Sequence, residues 1–351
     1  MDMTLGELAE SLGGKLSDEA SSGRRVTGIR SLVRAAPDHV SFYKGDKRYL
    51  DQVKATRAGA IICDAAPEGA TRPLILVEDA AMTVSFLLAA ERDLQDPPSP
   101  PGIHGDAFVD PAAEVGEGVS VGPFAVIEAG AKIGARSRIM AHAFVGRNAV
   151  LGDECVLHPG ACVLHSCQLG ARVILWPYAV VGRDGFGFLQ RDGNHLRIPQ
   201  VGGVSIGDDV EIGCWSSVDR GAVDPTIVEQ GVKIDSHCHV AHNCFVGEHA
   251  LLIGYARMGG SAHIGKRAIM AQDARVGEHR TVGDGAILAT SAGVMYKDVP
   301  PGETYHGTPA VPVRHATRID ACLNKLPDLV SEVRDLKKRL AKLEGERGGS
   351  G

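Results

Sequence analysis

Aromatic side chains make up only 5% of the 351 residues, and just two of them are tryptophan. A core built around a few large rings is thereby excluded, and small aliphatic residues must fill it. No apolar run approaches the roughly 18 residues that a membrane-spanning helix needs, so no span is expected. The stretch from Met1 to Glu7 has no basic segment leading into an apolar one, so no signal peptide is expected either. There is no long basic block and the net charge is −6, which removes the field that nucleic-acid binding requires. Eight cysteines occur without a single Cys-x-x-Cys pair. Four of them, Cys155, Cys167, Cys238 and Cys244, fall on one small-residue slot of the repeat described next, where reduced thiols act as small hydrophobes. A cytoplasmic protein with no disulfide framework is expected.

Glycine, by contrast, is abundant at 44 residues, and most of the chain is periodic. Stepping by six from Ile103 reaches an aliphatic residue every time as far as Val181. The step resumes at Ile206, Ile212 and Val218, slips four residues, and then runs from Val228 to Val294. All 29 positions are Val, Ile, Leu or Met. A helix would need a period of 3.6 and a lone strand a period of 2, so neither explains a period of six. A hexapeptide repeat predicts a parallel β-helix, with three units to a triangular coil and the aliphatic residue pointing inward. Twenty-nine units make between nine and ten coils, about 45 Å of stack at the ~4.8 Å spacing of neighbouring strands. The fold class expected is mainly β, a parallel β-helix flanked by a small N-terminal α/β domain and a C-terminal α-helix.

Residues 1–100 carry the signals of that α/β domain. Thr4 and Glu7 form a capping box ahead of Leu5, Leu8 and Leu12. Short apolar runs at Val26–Ile29, Ala60–Cys63 and Leu74–Val77 predict strands, and a helix is predicted from about Ala80 to Leu94. The proline-rich stretch Pro97–Pro101 marks a stiff linker. The β-helix then occupies 101–300 and a C-terminal extension 301–351. In the extension a single helix is predicted from about Ala316 to Glu344, with Leu326, Leu329, Val333, Leu336, Leu340 and Leu343 as a heptad seam suited to pairing with copies of itself.

A solenoid projects loops where its period fails. The larger break runs from Gly182 to Gly203 and contains Phe186 and Phe188. It is either a surface excursion or one wall of a ligand site. On the repeat itself, His242 lies two places after Val240 and Gly260 two places after Met258. They differ by one full coil of 18 residues, so they stack about 5 Å apart. His279, two coils and one residue beyond His242, falls on the same side. A histidine can act as general base near neutral pH. A backbone N–H at a glycine one coil away can stabilise an oxyanion. Together they suit acyl transfer.

The segment from Ile234 to Asn243, the run Gly182–Phe188 followed by Ile198-Pro-Gln200, and Ile206–Gly213 leading into Val218–Ala222 resemble the signature of the UDP-3-O-(3-hydroxyacyl)glucosamine N-acyltransferase family of lipid A biosynthesis. The resemblance extends over nearly the whole chain. It implies a left-handed β-helix, a homotrimer with active sites between neighbouring solenoids, and a (R)-3-hydroxyacyl chain delivered by acyl carrier protein to the 2-amine of a UDP-3-O-acylglucosamine. It implies no cofactor. His242 takes the family's base position, Gly260 its oxyanion amide, and His279 its second active-site histidine. Asp235 matches an acidic residue, on a neighbouring face from His242 and so a candidate for contact from the adjacent subunit. Phe42 and Tyr49 match aromatic residues that stack on uracil, and Phe186, Phe188 and Gln200 match substrate-contacting positions. The segment Gly45–Tyr49 is one residue longer than the family's, and Ser236 stands where the family has asparagine.

Three other readings fit parts of this pattern. One is an acetyl-CoA-dependent sugar acetyltransferase on the same scaffold, with no need of the N-terminal domain. Another is a zinc enzyme of the γ-carbonic anhydrase kind using His237, His239 and His242. The last is a non-catalytic hexapeptide scaffold.

Overall fold

A computed structural model describes residues 1–95 and 99–348, with the side chains of 342–348 outside the description. Pro97 and Pro98 of the linker and the side chain of Leu343 therefore lie outside the described residues. The chain divides into two compact units, Met1–Ser99 and Pro100–Gly351.

The first unit is a five-stranded sheet in the order Lys15–Leu16, Leu74–Leu76, Ala60–Cys63, His39–Phe42 and Gly28–Ile29. All neighbours pair in parallel except the first two. Along Ala60–Cys63 successive side chains alternate between the two sides of the sheet. Ile62 joins Leu5, Leu8, Val40 and Val84 on one side, while Ile61 and Cys63 join Leu32, Tyr43 and Val53 on the other. The expected capping box is present: Thr4 Oγ1 accepts the Glu7 N–H, and Glu7 accepts the Thr4 N–H. The strand expected over Val26–Ile29 is two short ones, Arg25–Val26 and Gly28–Ile29, because Thr27 turns aside and its N–H donates to Asp38 O.

The second unit is a left-handed parallel β-helix. Its three faces hold twelve, ten and nine strands and are named here for Ile234, Val240 and Val246 respectively. Coils stack in the 18-residue register that the period requires, with Ile234 opposite Leu252 and Val240 opposite Met258. Inside, the aliphatic column meets the small slot, so that Ala250, Ala256, Ala262, Cys238 and Cys244 are all buried. At Gly134 and Gly152, immediately after inward residues, an added methyl would lie 2.3 and 2.6 Å from the backbone of the next coil.

Between faces the chain turns sharply. At most corners the third residue after the inward one has a φ near +57°, as at His237, Asn243, Ser261 and His279. That conformation costs an L-residue about 1–2 kcal/mol. A ladder of corner hydrogen bonds offsets it, such as Ser261 N–H to His242 O (3.0 Å) and His279 N–H to Gly260 O (3.1 Å). The three edges differ in chemistry. The edge leaving the Ile234 face carries stacked rings, Tyr178 on Trp215 and His237 on Tyr255. The edge leaving the Val246 face carries ion pairs, Arg136 with Glu154 and Arg172 with Asp209. The edge leaving the Val240 face carries Asn243, Ser261 and His279.

The single C-terminal helix expected from the heptad is two helices, Val313–Leu323 and Leu326–Gly348, interrupted at Asn324 and Lys325. Leu323 and Leu326 are three residues apart, a spacing the heptad accepts, so the seam passes through the interruption unmarked.

Candidate active site

His242 occupies the edge between the Val240 and Val246 faces, half-buried. Two glycines make a slot for its ring. A methyl added at Gly260 would stand 2.7 Å from both Cε1 and Nε2, and one added at Gly185 would stand 2.6 Å from Cβ. Nδ1 lies 3.1 Å from Asn243 Oδ1. At the equivalent place in some other units the N–H is tied to a carboxylate, as in Ala135 to Asp153, Ala171 to Asp208 and Gly254 to Asp235. Among the described residues the Gly260 N–H has no acceptor. The predicted stack of His242, Gly260 and His279 is thus brought together on one edge, with His279 exposed at its far end.

Gly185 belongs to the excursion that starts at the strand Val180–Asp184. Two ion pairs fasten its root. The Arg183 guanidinium donates to both oxygens of Asp219 (3.0 and 2.7 Å), a carboxylate that is 0% exposed. Arg220, 1% exposed, donates to Gly182 O (2.7 Å) and His165 O (2.9 Å), and lies 2.6 Å from His165 Nε2 and 3.5 Å from Asp184. His239 completes the layer, with Ser217 Oγ 2.9 Å from Nδ1 and Asp219 3.8 Å from Nε2. Burial holds its imidazole below the usual histidine range, and Asp219 acts in the opposite direction. None of Arg183, Asp219 or Arg220 stood out in the sequence by itself. The available signal was that oppositely charged pairs sit at both breaks in the period. Replacing Arg183 with methionine leaves the Asp219 carboxylate buried without its partner. Arg183 is half-exposed, so the expected loss is at the low end for such pairs, about 3 kcal/mol, read as a lower denaturant midpoint.

Beyond Gly185 the excursion forms a hairpin, Phe188–Arg191 with Asn194–Arg197. Phe186 and Phe188 meet edge to face at 4.9 Å, and Phe186 is 79% exposed. The chain returns through Gln200, whose Nε2 donates to Ile198 O (3.1 Å) while its Oε1 is buried without a partner. Gly187 lies against Gln200, so Phe186, Phe188 and Gln200 share one end of the loop that touches His242.

Asp235 is elsewhere. Its carboxylate accepts the Ser236 and Gly254 N–H groups (2.7 and 2.9 Å) and lines a cavity of about 360 Å³ on the Ile234 face with Trp176, Cys214 and Ile253. Within one chain it does not reach His242. The histidines at 237, 239 and 242 do not converge either, since His237 stacks on Tyr255 at a different edge from His242. Among the described residues no three His, Cys, Asp or Glu side chains are arranged to hold a metal ion.

In the first unit Phe42 ends the strand His39–Phe42, and the Asp46 carboxylate caps the turn Lys47–Tyr49 by accepting the Arg48 N–H (3.0 Å). Both rings line one cavity of about 380 Å³ with Ser31, Leu32 and Gln52. It opens at the carboxyl end of the parallel strand His39–Phe42, the end at which open α/β sheets take ligands. The longer segment therefore still delivers Tyr49 to the side of Phe42.

Residues 24–90 match the family model described as UDP-3-O-(3-hydroxymyristoyl) glucosamine N-acyltransferase, and residues 112–147 and 148–183 match that of bacterial transferase hexapeptide repeats. The UDP-3-O-acylglucosamine N-acyltransferase of Syntrophobacter fumaroxidans is 42% identical over 342 residues, 97% of this chain and 95% of that protein. The enzyme of the same name from Myxococcus xanthus is 42% identical over 354 residues, covering 99% and 100% of the two chains. Among solved structures, the Arabidopsis UDP-N-acetylglucosamine acyltransferase is similar with a TM-score of 0.52 at 26% identity, over 59% of this chain and 71% of that one.

Proposed function

The chain belongs to the UDP-3-O-acylglucosamine N-acyltransferase family, the N-acyltransferases of lipid A biosynthesis, and from that premise we propose how its residues perform the transfer. The donor is a (R)-3-hydroxyacyl thioester of acyl carrier protein, and no cofactor takes part. The acceptor's 2-amine attacks the thioester carbonyl while His242 Nε2 removes a proton from the attacking nitrogen. The Gly260 N–H holds the tetrahedral oxygen. The C–S bond then breaks, and the carrier thiol leaves with the proton returned by His242. His279 borders the reacting groups from the next coil. Phe186, Phe188 and Gln200 form the loop wall, and Asp235 is supplied by the adjacent copy in a homotrimer. Residues 1–100 form the nucleotide-binding domain and 301–351 the trimer's helical extension. The protein works in the cytoplasm.

One observation supports this reading above the rest: the His242 ring packs against Gly185 and Gly260, and the Gly260 N–H lacks an acceptor among the described residues. Mass spectrometry of purified protein with UDP-3-O-acylglucosamine and 3-hydroxyacyl-carrier protein tests it. The expected product is heavier by one hydroxyacyl group. No product from folded protein, but turnover with acetyl-CoA, would replace the donor assignment.

Phe42 and Tyr49 hold the uracil ring between them. Stacking on an aromatic side chain contributes about 1–3 kcal/mol per base. Phe42→Ala should therefore raise KM for the nucleotide sugar roughly 5- to 150-fold with kcat little changed. A normal KM in steady-state kinetics would remove the stacking role.

A further inference from the structure

A neutral imidazole carries one N–H, and only the tautomer with that proton on Nδ1 leaves Nε2 able to accept. Which tautomer His242 adopts is decided by what faces Nδ1, and that atom is Asn243 Oδ1 at 3.1 Å. An asparagine amide could in principle present either its oxygen or its NH2 group. Here two backbone groups of unambiguous polarity settle the choice. The Ala222 N–H donates to Oδ1 (3.0 Å), and Nδ2 donates to Asp224 O (3.1 Å). A rotated amide would set NH2 against an N–H and oxygen against a carbonyl, losing both bonds. The main chain of Asn243 is held as well, its N–H donating to Thr226 Oγ1 (2.8 Å).

The residue is not dictated by the solenoid. Other corners of this edge hold Asn148, Ser166, Ser261 and His279 at the same positive φ. The anchoring groups, Ala222, Asp224 and Thr226, all come from the second break in the period, immediately after Arg220.

We propose that Asn243 is a positioning residue for the acyl transfer: its clamped amide oxygen fixes His242 as the Nδ1–H tautomer and aims Nε2 into the Gly260 slot. This rests on His242 being the base. Because the amide is neutral, it orients the ring without the rise in basicity that a carboxylate in the same place would cause. The second break in the repeat thus has a stated task, which is to hold the clamp.

Two variants test the idea. Asn243→Gly keeps a residue that tolerates the positive φ and removes only the side chain. It should lower kcat about tenfold, the worth of one lost orienting hydrogen bond, with KM unchanged. Asn243→Asp should move the acid limb of the kcat/KM pH profile upward by about 1–3 units, since a carboxylate beside Nδ1 favours the imidazolium and the base must be neutral to act. A purely structural role would lower the melting temperature of the glycine variant and leave its kcat unchanged. Wild-type kcat in the glycine variant together with an unmoved limb in the aspartate variant would overturn the proposal while leaving the base assignment intact. Full activity of His242→Ala would instead remove the base assignment itself.

Discussion

His242→Ala should lower kcat by about 10²–10⁴-fold, the usual contribution of a positioned general base, and leave the fold in place. Both halves follow from where the ring sits. It occupies a corner, outside the aliphatic column that Val240 and Val246 build, so its loss opens no cavity in the core. Its partner Asn243 Oδ1 keeps the Ala222 N–H, so no buried acceptor is orphaned. Stability should therefore change by less than about 1 kcal/mol, within the range of substitutions outside the core. Single-turnover assays at saturating substrate, with thermal melting on the same preparation, read the two quantities separately. A kcat within twofold of wild type would show that another group takes the proton.

The second large effect comes from a residue with no side chain. Gly260→Ala should lower kcat about 10²–10³-fold, the scale set by losing one oxyanion donor. Its backbone φ lies outside the left-handed region, so alanine is permitted by conformation and the effect is one of space. The new methyl would meet Cε1 and Nε2 of His242 at 2.7 Å. A free side chain would move aside, but Gly185 also packs against this ring and limits its movement. Either the ring tilts away from the acceptor amine or the coil shifts and takes the N–H with it. Both outcomes disturb the site with the solenoid otherwise intact. Near-normal kcat in a variant that melts like wild type would remove Gly260 from the reaction.

Where the period is unbroken, position in space is a linear function of residue number. That is why a separation of 18 residues places Gly260 over His242, and why the small slot makes Cys238 and Cys244 buried thiols. The same arithmetic put Asp235 on a different edge from His242. It fails at the breaks. Thirty-seven residues separate Ile174 from its partner Glu211, where an unbroken coil has 18, and nothing in the period says how the extra residues return. Gly185 against His242, Arg183 against Asp219, and Ala222 and Asp224 on the Asn243 amide all arise from those returns. The C-terminal interruption at Asn324 escaped for a related reason, since a seam of threes and fours continues across it.

By itself, then, the sequence determined the β-helix, its register and the stack that includes the catalytic candidate. Periodic burial of aliphatic residues admits no other arrangement at that spacing. Only the tertiary structure decided which nitrogen of His242 faces Gly260 and what holds the ring there. Those depend on hydrogen bonds and ion pairs between segments whose separation in sequence follows no rule, and such contacts are set by the path of the folded chain.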